Sequence, residues 1–565
     1  MPWIGVFVLL LTPGLLPRPA LAQSSCRQPF NVGYRLVQIP NGPKMAVWYP
    51  TPDREGTVRY SAELSGSMAM NGAVATCERF PVLVFSHGLG GCGTQSVFIT
   101  EQLARNGYVV AAPDHRDAGC SVDGTGTPKL VGPEASFFQP ERWTDLTHDD
   151  RKDDVNRVVE WLLRGQDFGP RTDPDRIGMV GHSLGGYTAL GLAGAWPSWK
   201  DPRFKAMVLL SPYLLPYLSQ NRLNDITVPL MYQGAQFDIA VTPFVNSDKG
   251  AYGLAQPPRF FMELRGGSHF EWTVALCGGT STVEQCLALK PNARLIVSYA
   301  LEFLNRYLRQ DVAALARLDT SGVAGYRRTL PLTSVLSASF DPAEGVAPES
   351  IVAGFGEVMT PATTANTLSA LPATLGNLSV SIKDSQGATH RGLMFLSSPG
   401  QVNYFLPKAV ALGEASVTIN AGFEPVAMGK IKVGRIAPSL FTANASGKGV
   451  AAAQVLRVPE VGERSLELIF DPRTLQAIPV ELGPESEALY LALYGTGLRG
   501  WSESATATIG GINVIVFGPV AHSIYPGLDQ VNIGPIPRRL AGRSDIEVSV
   551  VLDGRRTNPV TLSLR

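Results

Sequence analysis

Gly181-His182-Ser183-Leu184-Gly185 is the stretch whose reading decides the fold. Before it runs Arg176-Ile177-Gly178-Met179-Val180, a short apolar run bounded by turn residues. After it comes Gly186-Tyr187-Thr188-Ala189-Leu190-Gly191-Leu192-Ala193, small and helix-compatible. The pattern predicts strand, sharp turn and helix, with a serine at the apex. Gly181 and Gly185 flank Ser183 where a side chain would collide with a neighbouring strand or helix. Such a turn strains the serine backbone and lifts its hydroxyl above the sheet. The N-terminus of the following helix favours negative charge developing at the same spot. A plain Gly-rich turn has the same letters, so the partners of Ser183 must come from elsewhere in the chain.

Outward from the turn, Phe80-Pro81-Val82-Leu83-Val84-Phe85-Ser86 and Tyr108-Val109-Val110-Ala111-Ala112-Pro113 are continuous apolar runs. Runs of this kind are strands buried on both faces. They lead into His87-Gly88-Leu89-Gly90-Gly91 and Asp114-His115-Arg116-Asp117. A helix is expected over 97–106. Over 149–164, Val155, Val158, Val159, Leu162 and Leu163 share one helix face, with Asp, Arg and Lys on the other. Gly33-Tyr34-Arg35-Leu36-Val37-Gln38-Ile39 and Met45-Ala46-Val47-Trp48-Tyr49-Pro50 read as strands around an Asn41-Gly42-Pro43 turn. Residues 53–79 read as a polar, irregular surface excursion. Three later strands are Lys205-Ala206-Met207-Val208-Leu209-Leu210, Val228-Pro229-Leu230-Met231-Tyr232-Gln233-Gly234 and Arg259-Phe260-Phe261-Met262-Glu263-Leu264. A helix over 293–308, with a stripe of Ile296, Tyr299, Ala300, Phe303, Leu304 and Tyr307, closes the unit. Strands alternating with helices predict an α/β fold with a mostly parallel sheet and helices on both faces.

Chemistry in a parallel sheet sits at the carboxyl ends of the strands. Three expected strand ends carry Ser183, Asp238 and His269, in that order. Serine is a weak nucleophile at neutral pH, so His269 is expected to take its proton and pass it to the leaving group. Asp238 is expected to hold the imidazole tautomer and stabilise the imidazolium. This chain order, Ser, Asp, His, is the one used by the α/β-hydrolase fold. The oxyanion hole is expected from the backbone N–H groups of Leu184 and Leu89. His87 is read as shaping its loop, His182 as packing and His148 as facing solvent. Asp114, His115 and Asp117 are read as loop hydrogen bonds and ion pairs, with metal ligation as the alternative.

Ser86-His87-Gly88-Leu89-Gly90, Asp114-His115-Arg116-Asp117 and Gly181-His182-Ser183-Leu184-Gly185-Gly186 resemble the platelet-activating-factor acetylhydrolase and dienelactone-hydrolase-like group of α/β hydrolases. The Trp48-Tyr49-Pro50 strand fits the same group. The resemblance runs over residues 30–310. It implies carboxylester hydrolysis without metal or organic cofactor, with Ser183, Asp238 and His269 as triad and Leu89 and Leu184 as oxyanion donors. Gly234-Ala235-Gln236-Phe237-Asp238-Ile239-Ala240 and Glu263-Leu264-Arg265-Gly266-Gly267-Ser268-His269-Phe270 are also similar to bacterial cutinases and polyester hydrolases. Those carry a tryptophan clamp where this chain reads Ser211-Pro212-Tyr213-Leu214-Leu215. The expected function is a secreted serine ester hydrolase acting on short-chain or lipid-like esters. The alternatives are a polyester or cutin hydrolase and, in a different class, an inactive hydrolase-like adhesion protein.

Residues 1–22 are mostly apolar and end in Ala20-Leu21-Ala22, which reads as a signal peptide although no Lys or Arg precedes the apolar core. Lys+Arg and Asp+Glu both number 48, so nothing in the charge points to nucleic acid. At 565 residues the chain is expected to hold several domains. All six cysteines, Cys26, Cys77, Cys92, Cys120, Cys277 and Cys286, precede residue 290. Sequence alone permits about 15 pairings of six cysteines. Cys277–Cys286 is expected because it closes a short loop, Cys92–Cys120 because it joins two strand-end loops, and Cys26–Cys77 follows by elimination. No Cys/His spacing suggests zinc.

The domain reading is 1–22 signal peptide, 26–310 α/β-hydrolase domain, 311–335 linker, and two β-sandwich modules at 336–435 and 436–565. Short alternating runs with Gly, Pro and Asn turns mark the second half. An internal repeat supports its duplication. Ser398-Pro399-Gly400-Gln401-Val402-Asn403-Tyr404-Phe405-Leu406-Pro407 echoes Pro526-Gly527-Leu528-Asp529-Gln530-Val531-Asn532-Ile533-Gly534-Pro535. Leu375-Gly376-Asn377-Leu378-Ser379-Val380 echoes Ile509-Gly510-Gly511-Ile512-Asn513-Val514. This half resembles duplicated C-terminal β-sandwich regions of secreted bacterial proteins. His390 and His522 are read as isolated. Contact with a surface or polymer through these modules is the expected partner role, beside a small or polymeric ester substrate. Nothing in the sequence fixes an oligomeric state.

Overall fold

The computed structural model describes residues 26, 28–125, 132–247, 249–318, 320–366 and 370–565. The expected signal peptide lies outside the described residues. The chain divides into two compact units, one extending to Arg328 and one spanning Thr329–Arg565.

The first unit is built on ten strands: β1 (Asn31–Gln38), β2 (Lys44–Thr51), β3 (Gly56–Arg59), β4 (Ser65–Met70), β5 (Phe80–Ser86), β6 (Val109–Pro113), β7 (Thr172–His182), β8 (Phe204–Leu210), β9 (Leu230–Ala235) and β10 (Arg259–Leu264). Pairing gives the order β3-β4-β1-β2-β6-β5-β7-β8-β9-β10. The run from β6 to β10 is parallel throughout, and β2 joins it antiparallel. This is an α/β-hydrolase fold. Every residue of β5, β6 and β9 is buried, as continuous apolar runs require of a sheet covered on both faces. One face shows why: Val82, Val84, Val109, Ala111, Ile177, Met179, Met207 and Leu209 form one core with Val155, Val158, Val159 and Leu162. Those four side chains come from helix α1 (Asp149–Arg164).

Residues 53–79 depart from the expectation. β3 and β4 lie within them, and β4 extends the sheet by pairing with β1 at Gly33↔Ala69. The sequence Ser65-Gly66-Ser67-Met68-Ala69-Met70 holds no β-branched residue, so its strand character comes from pairing rather than propensity. The disulfides are Cys26–Cys77, Cys92–Cys120 and Cys277–Cys286.

The second unit is all β. Its two main cores are separate in sequence. One gathers Leu332, Val352, Val380, Met394, Tyr404, Val417 and Ile431; the other gathers Leu440, Val455, Leu491, Ile509, Val531, Val548 and Val560. Ile351, Phe395, Phe441, Tyr494 and Leu528 form a further cluster that joins the two halves. The repeat has a physical counterpart. Leu375↔Leu378 and Ile509↔Ile512 close matching two-residue hairpins. Their tips are Gly376 (φ 56) and Asn377 (φ 65) in one, and Gly510 (φ 58) and Gly511 (φ 75) in the other. Two positive φ values are what a tight turn of the strands' own twist demands. In the longer repeated segment Gln401 Nε2 donates to Asn403 Oδ1 at 2.8 Å, and Gln530 Nε2 donates to Asn532 Oδ1 at 2.9 Å. His390 is not isolated: its Nε2 meets Asp384 at 2.7 Å. Residues 311–335 hold the strands Gly325–Pro331 and Thr333–Leu336.

Leu162 is fully buried in the α1 contact with the sheet. Replacing it with alanine leaves a cavity and should cost about 2–5 kcal/mol. Urea denaturation of the full chain, comparing midpoints, measures this.

Candidate active site

Ser183 follows β7 directly and has φ 52 and ψ −113, a strained conformation for a non-glycine residue. Its N–H donates to the Leu210 carbonyl at 3.0 Å, and its carbonyl accepts from Tyr213 N–H at 2.9 Å. A Cβ on Gly185 would run into the Ser86 carbonyl, and one on Gly181 into the Gly185 carbonyl. Only glycines at these two places let strand, turn and the helix Leu184–Leu190 approach so closely.

The three strand ends converge. His269 Nε2 lies 3.0 Å from Ser183 Oγ, and His269 Nδ1 lies 2.9 Å from Asp238 Oδ2. Asp238 is buried, whereas the His269 ring is partly open to solvent. Their loops are stitched together: Phe237 N–H donates to the Gly267 carbonyl at 2.9 Å, and Gly266 N–H donates to Gln236 Oε1 at 2.9 Å. Leu184 opens the helix after the serine, and Leu89 lies on the loop after β5. Among the described residues, neither amide is bonded to an acceptor.

The β5 loop is fixed by side chains that the sequence did not single out. Gln95 Oε1 accepts from Gly88 N–H at 3.0 Å, while Gln95 Nε2 donates to His182 Nδ1 at 2.9 Å. His182 Nε2 then donates to the His269 carbonyl at 3.0 Å. His182 thus ties the loop to the histidine backbone, beyond the packing role expected of it. Beneath the loop, Arg151 donates to the His87 carbonyl at 2.8 Å and grips Asp117 through both carboxylate oxygens at 2.9 and 2.8 Å. Arg151 is fully buried four residues before Val155, on the apolar face of α1, which corrects the placing of Arg on the opposite face. A guanidinium on an amphipathic helix looks solvated until tertiary structure supplies its partners. His87 shapes the loop as expected, with Nδ1 donating to the Gly88 carbonyl at 2.6 Å and Nε2 accepting from His115 N–H at 3.0 Å.

Electrostatics follow from burial. Burial pushes His182 down to about 3, and the neighbouring His269 adds to this. Burial, with Arg151 nearby, pushes His87 and His115 well below the ordinary imidazole value. His115 spans Ser86 Oγ at 2.9 Å and Asp154 at 3.0 Å, and burial raises the Asp154 carboxyl to about 7. Burial opposes charge on Asp117 too, but Arg151 outweighs it and holds that carboxyl at about 2. Asp114 accepts from the Gly93 and Val122 amides, both at 2.9 Å, as expected of a loop residue. His148 is buried, not solvent-facing, and burial pushes it down to about 4. It starts α1 beside the Trp143 ring, whose indole covers it. Glu134, His148 and Asp150 bring ligand atoms within 4.8 Å of one another. Arg116 already pairs with both carboxylates there, supplying the positive charge the cluster calls for.

Ser211, the residue after β8, also reaches the site. Its Oγ hydrogen-bonds Asp238 Oδ2 and lies 2.9 Å from His269 Nδ1. Its only mark in the sequence is its place at the end of β8, beside the strand that leads to Ser183.

Residues 81–247 match the family described as alpha/beta hydrolase fold. A platelet-activating factor acetylhydrolase of Cavia porcellus is 23% identical over 275 residues, covering 43% of this chain and 60% of that protein. Cutinase est2 of Thermobifida alba is 26% identical over 194 residues, covering 34% of this chain and 53% of that protein. The chain thus spans little more than half the length of these curated relatives. A solved ferulic acid esterase from Streptomyces cinnamoneus aligns with 53% of this chain and 96% of its own, at 20% identity and a TM-score of 0.39.

His182 and His148 are neutral in the fold down to about pH 3 and pH 4. The unfolded chain protonates both near pH 6.5, so below that pH it binds more protons than the native state. Their contribution to stability is complete above pH 6.5 and lost as pH falls toward 4 for His148 and toward 3 for His182. The expected slope is about 1.4 kcal/mol per pH unit for each histidine. Denaturant unfolding at pH 7, 6, 5 and 4.5 should show it, and His182→Gln should make the slope shallower.

Proposed function

We propose that the chain is an exported serine carboxylester hydrolase working through an acyl-enzyme. The observation that carries this is the unbroken hydrogen-bond chain from Ser183 Oγ through His269 to Asp238, at 3.0 and 2.9 Å. His269 Nε2 takes the Ser183 proton as Oγ attacks the ester carbonyl. The tetrahedral oxyanion is received by the Leu184 and Leu89 amides, with the helix N-terminus behind Leu184. His269 then returns the proton to the departing alcohol, and water repeats the sequence to release the acid. Asp238 keeps Nδ1 protonated throughout and stabilises the imidazolium. The named activities of the acetylhydrolase and cutinase relatives support the reaction class. Three disulfides suit an oxidising compartment and so support export.

Two features bear on the substrate. Tyr213 stands beside the nucleophile backbone, with Phe137 at 4.6 Å and Trp143 at 5.0 Å between ring centroids. Its hydroxyl is held by the Phe137 carbonyl at 3.1 Å. We read this braced ring as the limit on acyl-chain length. Around the mouth, Phe237, Ile239 and Phe270 are 69%, 79% and 64% exposed. They flank Asp238 and His269 in sequence, so the apolar rim belongs to the loops that carry the triad. We therefore read the substrate as a short-acyl ester of a large apolar alcohol or lipid. The rim also favours a second reading, hydrolysis of a polyester or cutin surface. In the second unit, Ile515, Phe517 and Val520 are exposed on the strand Ile512–Ala521, which bears no charge. That face supports attachment to an apolar polymer.

A p-nitrophenyl ester series tests the reading. Ser183→Ala should lose at least about 1,000-fold in kcat/KM. Equal rates for variant and wild type would support the inactive binding-protein alternative. Tyr213→Ala should raise octanoate over acetate hydrolysis by about tenfold relative to wild type. Preferential hydrolysis of a polyester film over soluble acetates would favour the second reading.

A further inference from the structure

Ser211 is fully buried, yet it is a serine with φ 43 rather than a glycine. Its N–H donates to the Gln233 carbonyl at 2.8 Å, which fixes it across the gap between β8 and β9. Its hydroxyl forms two sides of a triangle, one to Asp238 Oδ2 and one of 2.9 Å to His269 Nδ1. The third side is the 2.9 Å contact between His269 and Asp238. A carboxylate only accepts, so the Ser211 proton must point at Asp238. The hydroxyl then has lone pairs alone to offer Nδ1, which must itself carry a proton. The left-handed backbone is a cost that glycine would avoid, and the hydroxyl is what serine gains there.

We propose that Ser211 is a positioning residue of the proton relay, locking the Nδ1–H tautomer of His269 and taking up part of the Asp238 charge. This rests on the hydrolase reading above. One Asp238 oxygen receives two donors, so less of its negative charge is free to attract an imidazolium. Removing the hydroxyl returns that charge to His269 and favours its protonated form. It also frees the carboxylate and ring to rotate. The acidic limb of kcat/KM should then move to higher pH while kcat falls.

Ser211→Gly is the variant of choice because glycine adopts φ 43 without strain. It should retain the wild-type thermal midpoint or exceed it, lose about 5- to 50-fold in kcat on p-nitrophenyl acetate, and shift the acidic limb upward. Ser211→Ala gives the same two readings should the glycine variant fail to fold. A kcat within about twofold of wild type, or an acidic limb that stays in place or moves to lower pH, overturns the proposal. Ser183→Ala run in parallel separates the two claims. If it remains active, the hydrolase reading fails; if it is inactive while Ser211→Gly behaves as wild type, only the role of Ser211 fails.

Discussion

The site depends on a close approach of backbone to backbone. At the end of β7 the chain reverses with no side chain at Gly181 or Gly185, and the Ser86 carbonyl fills the space where a Cβ would stand. That contact brings the loop after β5, the turn and the following helix to one point. Ser183 takes a positive φ as a result, and its hydroxyl faces the His269 ring. The strained serine persists because its N–H and carbonyl are both bonded to the segment around β8.

Around this contact lies a layer of neutral buried histidines. His87, His115, His148 and His182 each lose their charge to burial and serve as directional hydrogen-bonding groups. The buried ion pair of Arg151 with Asp117 sits under the β5 loop and holds it from below. A buried pair of this kind contributes little net stability over an apolar replacement, so its value is in the geometry it imposes.

Much of this was legible in the sequence because it is written in local patterns. Continuous apolar runs gave β5, β6 and β8, and Gly-His-Ser-Leu-Gly gave the turn. The repeat in the second half marked hairpins whose tips need residues of positive φ. What stayed hidden has no local pattern. β4 is a run of Ser, Gly, Ala and Met that becomes a strand because β1 and β3 flank it. Arg151 and His148 carry polar side chains on a helix and its cap, and sequence alone cannot show a partner that arrives from residues 117 and 143. Ser211 is a single serine after a strand, one of many such serines, until Asp238 and His269 fold over it.

Ser183 and Ser211 directly follow adjacent parallel strands, held by the ladder that pairs His182 with Leu210. Their spacing is therefore set by the sheet and owes nothing to the length or sequence of the loops beyond them. Apolar residues such as Phe237 and Ile239 can be exchanged, and the mouth of the site reshaped, while Ser183 and Ser211 stay where the ladder puts them. A slip of β8 by one residue would instead exchange Ser211 for Pro212 and turn the strand inside out. Diversification of such a molecule is thus cheap at its rim and closed at its register.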